Sequence, residues 1–390
     1  MTPARLTEKR LGISGMRTLT IDALPLMGQG GISNYNRPLF EELIAHAPSE
    51  WQVELIFRLG FLGSRRELYR KYRKRLNCSR VVIRKSALPD RLLVKRWEKN
   101  FHVNGNKAER NNNVFLATTD LVPRCKNAKV GWIVYDVTPL IVPQFFKINH
   151  SDYFQEMKNR LKRTDFIIAI SKTTKKDIVE KFNYPENKIT VIYPGAPFCE
   201  RKESKITFKF KRPYICYLGA LAQNKNVDGL LRIFSRCVHE HKIDYDMILT
   251  GKDFCGKDYW DQLSVDLKIE DRVHMIGWVS EEERDAILTN AAMLWHFSWY
   301  EGFGLPVLEA AARGIPVLHS NRGAVTEILR NLDQQIDPAN EKEAAAKAVY
   351  ALKSEKICQN WKAVGYERAK DFRWSDSARK LVNCIETHTQ

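Results

Sequence analysis

Short apolar runs recur along the chain, and stretches of helical length and period separate them. Residues 18–21, 53–57, 114–117, 130–135, 166–170 and 189–193 form one series of predicted strands. Residues 214–218, 247–250, 273–276, 293–297 and 317–319 form a second. Segments of 3.6-residue period lie between them, notably 153–162, 173–182 and 227–238. Strand alternating with helix predicts parallel sheets covered by helices, so the fold class is α/β in two halves.

The punctuation refines this. Gly28, Gly30 and Gly31 mark a turn after the first strand, and Ser33 is placed to cap a helix bearing Tyr35, Leu39, Leu43 and Ile44. Ser171 is placed to cap the helix over 173–182. Pro194-Gly195-Ala196-Pro197, followed by the polar, basic stretch 200–212, reads as a boundary and linker. The expected division is 1–198, 199–371, and a last helical segment 372–390. The asparagine-rich interval 100–113 reads as a loop, and 341–352 and 357–370 as helices.

The 390 residues, 44% of them hydrophobic, are enough for two domains with separate cores. No apolar run approaches the roughly 18 residues of a membrane span, and the N-terminal stretch lacks the apolar core of a secretory signal. A cytoplasmic protein is expected. Eight cysteines without a C-x-x-C pair point to reduced thiols, not to a zinc site or a disulfide framework.

Net charge is +17, which calls for an anionic partner. Between Arg58 and Lys99 fifteen Lys or Arg face only Glu67, Asp90 and Glu98, an excess of twelve. Within it, 61–76 has helical period: Phe61, Leu62, Leu68, Tyr69, Tyr72 and Leu76 share one face, and Arg65, Arg66, Arg70, Lys71, Arg73, Lys74 and Arg75 cover the rest. Such a helix suits an anionic membrane surface, or docks on its own domain by the aromatic stripe. No nucleic-acid reader motif accompanies the charge, so nucleic acid is not the expected partner.

The stretch with the most chemistry is Trp299-Tyr300-Glu301-Gly302-Phe303-Gly304-Leu305-Pro306-Val307-Leu308-Glu309-Ala310. Gly302 and Gly304 permit a sharp turn, and Pro306 suits the first turn of a helix starting near Leu305. Glu301 then lies on the loop and Glu309 inside the helix. Free N–H groups at the helix start favour a phosphate, and the two carboxylates suit sugar hydroxyls. Asp136, at the carboxyl end of the run 130–135, is placed either to face a ligand crevice or to cap a turn.

With Gly-Ile-Pro-Val following at 314–317, the span from Glu301 to Glu309 resembles the E-x7-E signature of the family 4 retaining glycosyltransferases. The resemblance covers most of the chain and is strongest in its second half. It implies the GT-B architecture, two Rossmann-like parallel-sheet domains facing across a cleft, with the last helix returning to the N-terminal domain. It also implies that Glu301 binds donor-sugar hydroxyls, that the backbone of Gly302, Phe303, Gly304 and Leu305 approaches sugar and diphosphate, and that Glu309 binds the ribose. Lys225, preceded by Asn224, resembles the family lysine on the diphosphate. Gly30 and Gly31, Ser171, and Val279 resemble the family's first-domain loop, cleft helix start and base-binding position.

The chain departs from the pattern in two places. Ala220 and Asn224 stand where the family usually has an arginine, and Tyr135 precedes Asp136 where the family has histidine. Tyrosine does not titrate near neutrality as histidine does. The resemblance implies transfer of a hexose with retention, mannose from GDP-mannose being the expected donor and a lipid-linked glycan of bacterial surface polysaccharide the expected acceptor. No Asp-x-Asp follows a strand, so neither metal nor cofactor is expected. A soluble transferase acting on a small acceptor, and a non-catalytic binder of nucleotide sugars or nucleic acid, are the alternatives.

Overall fold

The computed structural model describes residues 17–28, 30–59, 63–73, 81–86, the single positions 92, 97, 101 and 103, and then 113–197 and 210–389. One sheet is built from β1 (Arg17–Asp22), β2 (Trp51–Arg58), β3 (Val81–Ser86), β4 (Asn113–Ala117), β5 (Lys129–Val134), β6 (Phe166–Ala169) and β7 (Ile189–Val191), in the order β3-β2-β1-β4-β5-β6-β7. The other is built from β8 (Tyr214–Leu218), β9 (Asp246–Thr250), β10 (Val273–Gly277), β11 (Met293–His296), β12 (Val317–Ser320) and β13 (Gln335–Ile336), in the order β10-β9-β8-β11-β12-β13. Strands β1 to β5 and β8 to β13 pair in parallel. In each sheet the order reverses beside its first strand, the place where open parallel sheets leave a crevice beyond the strand ends.

The helices of eight or more residues among the described residues are α1 (Gly31–His46), α2 (Gly63–Arg73), α3 (His150–Leu161), α4 (Lys172–Phe182), α5 (Val227–His239), α6 (Lys257–Asp266), α7 (Glu281–Thr289), α8 (Leu305–Ala312), α9 (Glu341–Leu352), α10 (Glu355–Ala369) and α11 (Trp374–Thr389). Two strands escaped the sequence pattern: β3, whose half carries Arg84 and Lys85, and the two-residue β13. Helix α1 also starts earlier than expected. Its N-cap is Gly30, whose φ of 92° turns the chain into the helix without a capping side chain, and Ser33 is buried inside the first turn. Ser33 Oγ is packed so close to Gly28 that a Cβ there would lie 2.6 Å away.

The loop expected over 100–113 and the linker over 200–212 lie largely outside the described residues, as do Lys74 and the side chain of Lys71. Among the described residues no helix is long and apolar enough to cross a membrane.

By compactness the chain forms two units: residues up to 133 with 162–167 and 378 onward, and residues 134–161 with 168–377. In the first, Trp51, Phe57, Phe115 and Phe166 are fully buried, and His388 near the end of α11 stacks on Phe166 at 4.7 Å. In the second, Phe234, Trp260, Trp295, Phe297 and Trp361 centre a core between the sheet and helices α5, α6, α9 and α10.

Among the described residues between Arg58 and Lys99, part of the basic excess is turned inward. Arg58 is buried, and its Nε and Nη2 bond Asp22 at 3.2 and 3.1 Å, with Thr119 Oγ1 also at 3.1 Å from Nη2. Arg84 pairs with Glu54 at 3.3 Å. The aromatic stripe of α2 faces inward: Tyr69 and Tyr72 are buried against Phe57, at 5.0 and 6.1 Å between ring centroids. Arg66 and Arg70 remain exposed and Arg65 is half-buried. Tyr69 and Tyr72 therefore anchor the helix to its own domain, whereas Leu68, expected on the same face, is exposed beside the arginines.

Replacing Arg58 by Met leaves a fully buried Asp22 without its cation. The expected loss is about 3 to 5 kcal/mol, against about 0.5 kcal/mol or less for Arg70→Met on the surface. Urea denaturation followed by tryptophan fluorescence measures both; equal, small losses would contradict a structural role for Arg58.

Candidate functional site

The second sheet brings two loops together beyond its strand ends. Strand β8 runs into the loop 219–226, and β11 runs into Phe297-Ser298-Trp299-Tyr300-Glu301. Trp299 N donates to Asn224 O at 3.1 Å, so one loop is stitched to the other. Lys225 then reaches Glu301, its Nζ lying 2.9 Å from each carboxylate oxygen. Oε1 also accepts from Ser298 Oγ at 2.8 Å and pairs with His296 Nε2 at 3.1 Å.

Burial by itself would favour the protonated form of Glu301. The Lys225 charge and the His296 hydrogen bond outweigh it and hold the carboxyl well below the usual carboxylate range. Glu301 is therefore an ionised hydrogen-bond acceptor with a fixed orientation. An ionised acceptor requires the proton of His296 on Nε2.

The turn that follows is set by close packing. A Cβ on Gly302 would lie 2.3 Å from Tyr135 O and 2.8 Å from Asp136 Cβ, so the backbone approaches β5's continuation as only glycine allows. Thr174 Oγ1 donates to the same Tyr135 carbonyl at 3.1 Å. Asp136 is thereby placed beside the Glu301 loop, where its Oδ1 accepts from Thr138 N at 2.8 Å. Of the two sequence alternatives for Asp136, the structure shows the turn cap, with the residue lying beside the Gly302 turn. Gly304, at φ 102°, caps α8, and Pro306 fits its first turn. Phe303 is buried against Tyr193 and Phe372, each at 5.9 Å.

The remaining candidates are engaged by the protein itself. Ser171 is fully buried and caps α4 as expected, accepting from Thr174 N at 2.9 Å, so its hydroxyl is committed to the helix. The N–H groups at that helix start are occupied by Glu327, which accepts from Lys172 N at 3.0 Å and Thr173 N at 2.7 Å, and from Tyr193 OH at 2.6 Å. Glu309 is buried in α8 and ion-paired with Arg284 of α7. Val279 lies half-buried just before the capping box, Ser280 with Glu283, that opens α7. Gly30 and Gly31 belong to the first unit.

The second unit thus brings together Asn224, Lys225, Glu301, the turn Gly302 to Leu305 and Asp136. Sequence reasoning missed His296, Ser298, Glu327, Arg284 and Asp177. His296 and Ser298 carried a signal, since polar residues that end an otherwise apolar strand face the crevice. Asp177 carried none: it lies mid-helix and accepts a hydrogen bond from Tyr300 OH, far away in sequence.

Residues 200–368 match the family model described as "Glycosyl transferases group 1". O-antigen chain mannosyltransferase B of Escherichia coli is 25% identical over 261 residues, 65% of this chain and 68% of that protein. O-antigen chain mannosyltransferase RfbU of Salmonella typhimurium is 29% identical over 237 residues, 60% of this chain and 63% of that protein. The chain thus spans about two thirds of the length of these relatives. Among solved structures, a glycosyltransferase from Rickettsia africae superposes over 96% of this chain and 98% of its own, with a TM-score of 0.67 at 15% identity. This likeness shows the fold, two parallel-sheet α/β halves of the GT-B class.

Burial, then the charge of Glu180, raises the Asp177 carboxyl from an ordinary 3.8 to about 7, with Lys176 and Lys181 opposing. The native state then holds a proton that the unfolded chain releases, so this group's contribution to stability is complete below about pH 4 and is lost as the pH rises through 7. Asp177→Asn keeps an acceptor for Tyr300 and removes the titration. Its melting temperature should exceed the wild type's by more at pH 8 than at pH 5; a gain independent of pH would contradict the raised pKa.

Proposed function

We propose, from the match of residues 200–368 to the group 1 glycosyltransferase model, that the chain transfers a hexose from a nucleotide sugar to a growing glycan in surface-polysaccharide synthesis. The donor in this proposal is GDP-mannose and the acceptor a lipid-linked glycan, with the configuration at the transferred carbon retained. The observation that carries it is Glu301, held ionised and oriented by Lys225, His296 and Ser298 at the head of the Gly302–Gly304 turn. The names of the relatives support mannose and O-antigen-type glycans.

A carboxylate so strongly held in its charged form is unsuited to donating a proton, which separates this site from the acid–base pair of a glycosidase. It is suited to accepting hydrogen bonds from sugar hydroxyls. The donor sugar lies against Glu301 and the backbone of Gly302 to Leu305, and Glu309 of α8 accepts from the ribose, sharing its charge with Arg284. In the reaction the bond between C1 and the phosphate oxygen breaks, the acceptor oxygen bonds C1 on the same face, and the acceptor proton passes to the departing phosphate. Lys225 and the N–H of Leu305 at the start of α8 stabilise the charge that develops there, Val307 N and Leu308 N being bonded to Gly304 O. Holding both substrates in one geometry supplies much of the acceleration. No metal is part of the proposal, since Glu301 and Glu309 each already balance a cation of the protein. Membrane attachment in it is peripheral and electrostatic, through exposed arginines such as Arg66 and Arg70.

A panel of GDP- and UDP-sugars, assayed for release of nucleoside diphosphate with a lipid-linked acceptor, tests donor and reaction together; GDP-mannose should lead. Preference for a UDP-sugar would replace the donor, and absence of turnover with every donor would remove the transferase reading. Glu301→Gln should fold and lose at least about a hundredfold in turnover, and Glu309→Ala should weaken donor binding roughly ten- to a hundredfold. Near-normal turnover in the first would make Glu301 structural. Arg66→Glu with Arg70→Glu should reduce sedimentation with anionic liposomes, and unchanged binding would locate the membrane contact elsewhere.

A further inference from the structure

Lys225 is the one basic residue in the loop 219–226, and both oxygens of Glu301 hold its ammonium. Its charge is balanced before any substrate arrives. A departing nucleoside diphosphate carries more than one negative charge, and a single, already paired lysine compensates it poorly.

A neighbouring loop runs alongside. After β9, Gly251 packs against Gly219 so tightly that a Cβ there would lie 1.7 Å from Gly219 O. Gly219 N donates to Thr250 O at 3.0 Å, Leu221 N to Lys252 O at 2.8 Å, and Phe254 N to Leu221 O at 3.0 Å. This is parallel pairing continued past the strand ends, with Leu221 opposite Asp253. Successive side chains in such a pairing alternate in direction, so Lys252 shares a face with Ala220 and Asp253 takes the opposite one. Ala220 leaves room on the shared face.

The charge of Lys252 is not balanced locally. Asp253 is committed to its own turn, its Oδ1 accepting from Cys255 N at 2.9 Å, Gly256 N at 3.0 Å and Trp260 Nε1 at 3.0 Å. No carboxylate pairs with Lys252 among the described residues. Its ammonium rests 4.9 Å from the ring centroid of Phe254, which is itself exposed. An exposed cation–ring contact is weak and exchanges readily for a phosphate oxygen.

We infer that Lys252 is a diphosphate-binding residue, the unpaired cation that complements the paired Lys225 at the carboxyl ends of β8 and β9. The inference rests on the transferase reading and names a residue of that same site. Lys225, already paired with Glu301, orients that carboxylate and supplies part of the compensation, and Lys252 adds the unpaired charge that the leaving group needs.

Isothermal titration of the full chain with GDP and UDP, and with guanosine and uridine as phosphate-free controls, tests it. The wild type should bind the diphosphate of its donor base. Lys252→Ala should weaken that binding roughly tenfold, leave nucleoside binding unchanged, and be rescued by Lys252→Arg, which restores the cation. Lys257→Ala, which removes an exposed lysine paired with Asp261 on α6, should bind as the wild type does. Wild-type affinity in Lys252→Ala would overturn the role of Lys252 and leave the transferase reading standing, as would equal losses in Lys252→Ala and Lys257→Ala. Failure of the wild type to bind either diphosphate would overturn both.

Discussion

A carboxylate at the end of a buried strand takes up a proton unless it is hydrogen-bonded and its charge compensated. Glu301 meets that demand with three partners from two places in the chain: Lys225 after β8, and His296 and Ser298 at the end of β11. The compensation therefore fixes more than one side chain. Lys225 can reach only because the Asn224 carbonyl is bonded to Trp299 N, and that bond requires the two loops to leave neighbouring strands side by side. The close approach of Gly302 to Tyr135 carries the constraint on to Asp136. One buried charge thus sets the positions of most residues of the candidate site.

Much of the fold was legible because each strand is a short apolar run bounded by turn residues. The strand 214–218 and the helix 341–352 were read to the residue. What failed to show is what period cannot encode. Strand β3 carries Arg84 and Lys85 in its second half, and their charge hides a backbone that nonetheless pairs with β2 over six residues. At α1 the serine pattern misled, since Gly30 begins the helix by its backbone angle and Ser33 serves packing. In the site, Glu301 and the Gly302–Gly304 turn were legible from residue type and spacing, and Lys225 only through the family resemblance. The bonds from Glu327 to the start of α4 and from Tyr300 to Asp177 were not, because they join segments more than a hundred residues apart and only the folded chain makes them neighbours.

The same limit applies to charge. A sequence counts every arginine as available to an outside partner, whereas burial assigns some of them inward. Arg58 neutralises Asp22, Arg84 neutralises Glu54, and Arg284 neutralises Glu309. The electrostatic field that a polyanion or a lipid surface meets is set by the arginines left over, of which Arg66 and Arg70 on α2 are examples.

The first compact unit is completed by residues from 378 onward, with His388 lying against Phe166. During synthesis the ribosome must therefore add the whole intervening second unit before the first can close. At typical elongation rates the stretch from residue 133 to residue 378 takes roughly ten to fifty seconds. From the time Phe166 emerges until residue 388 is added, the nascent first unit lacks the histidine that stacks on that ring. The unit that begins first is the last to be finished.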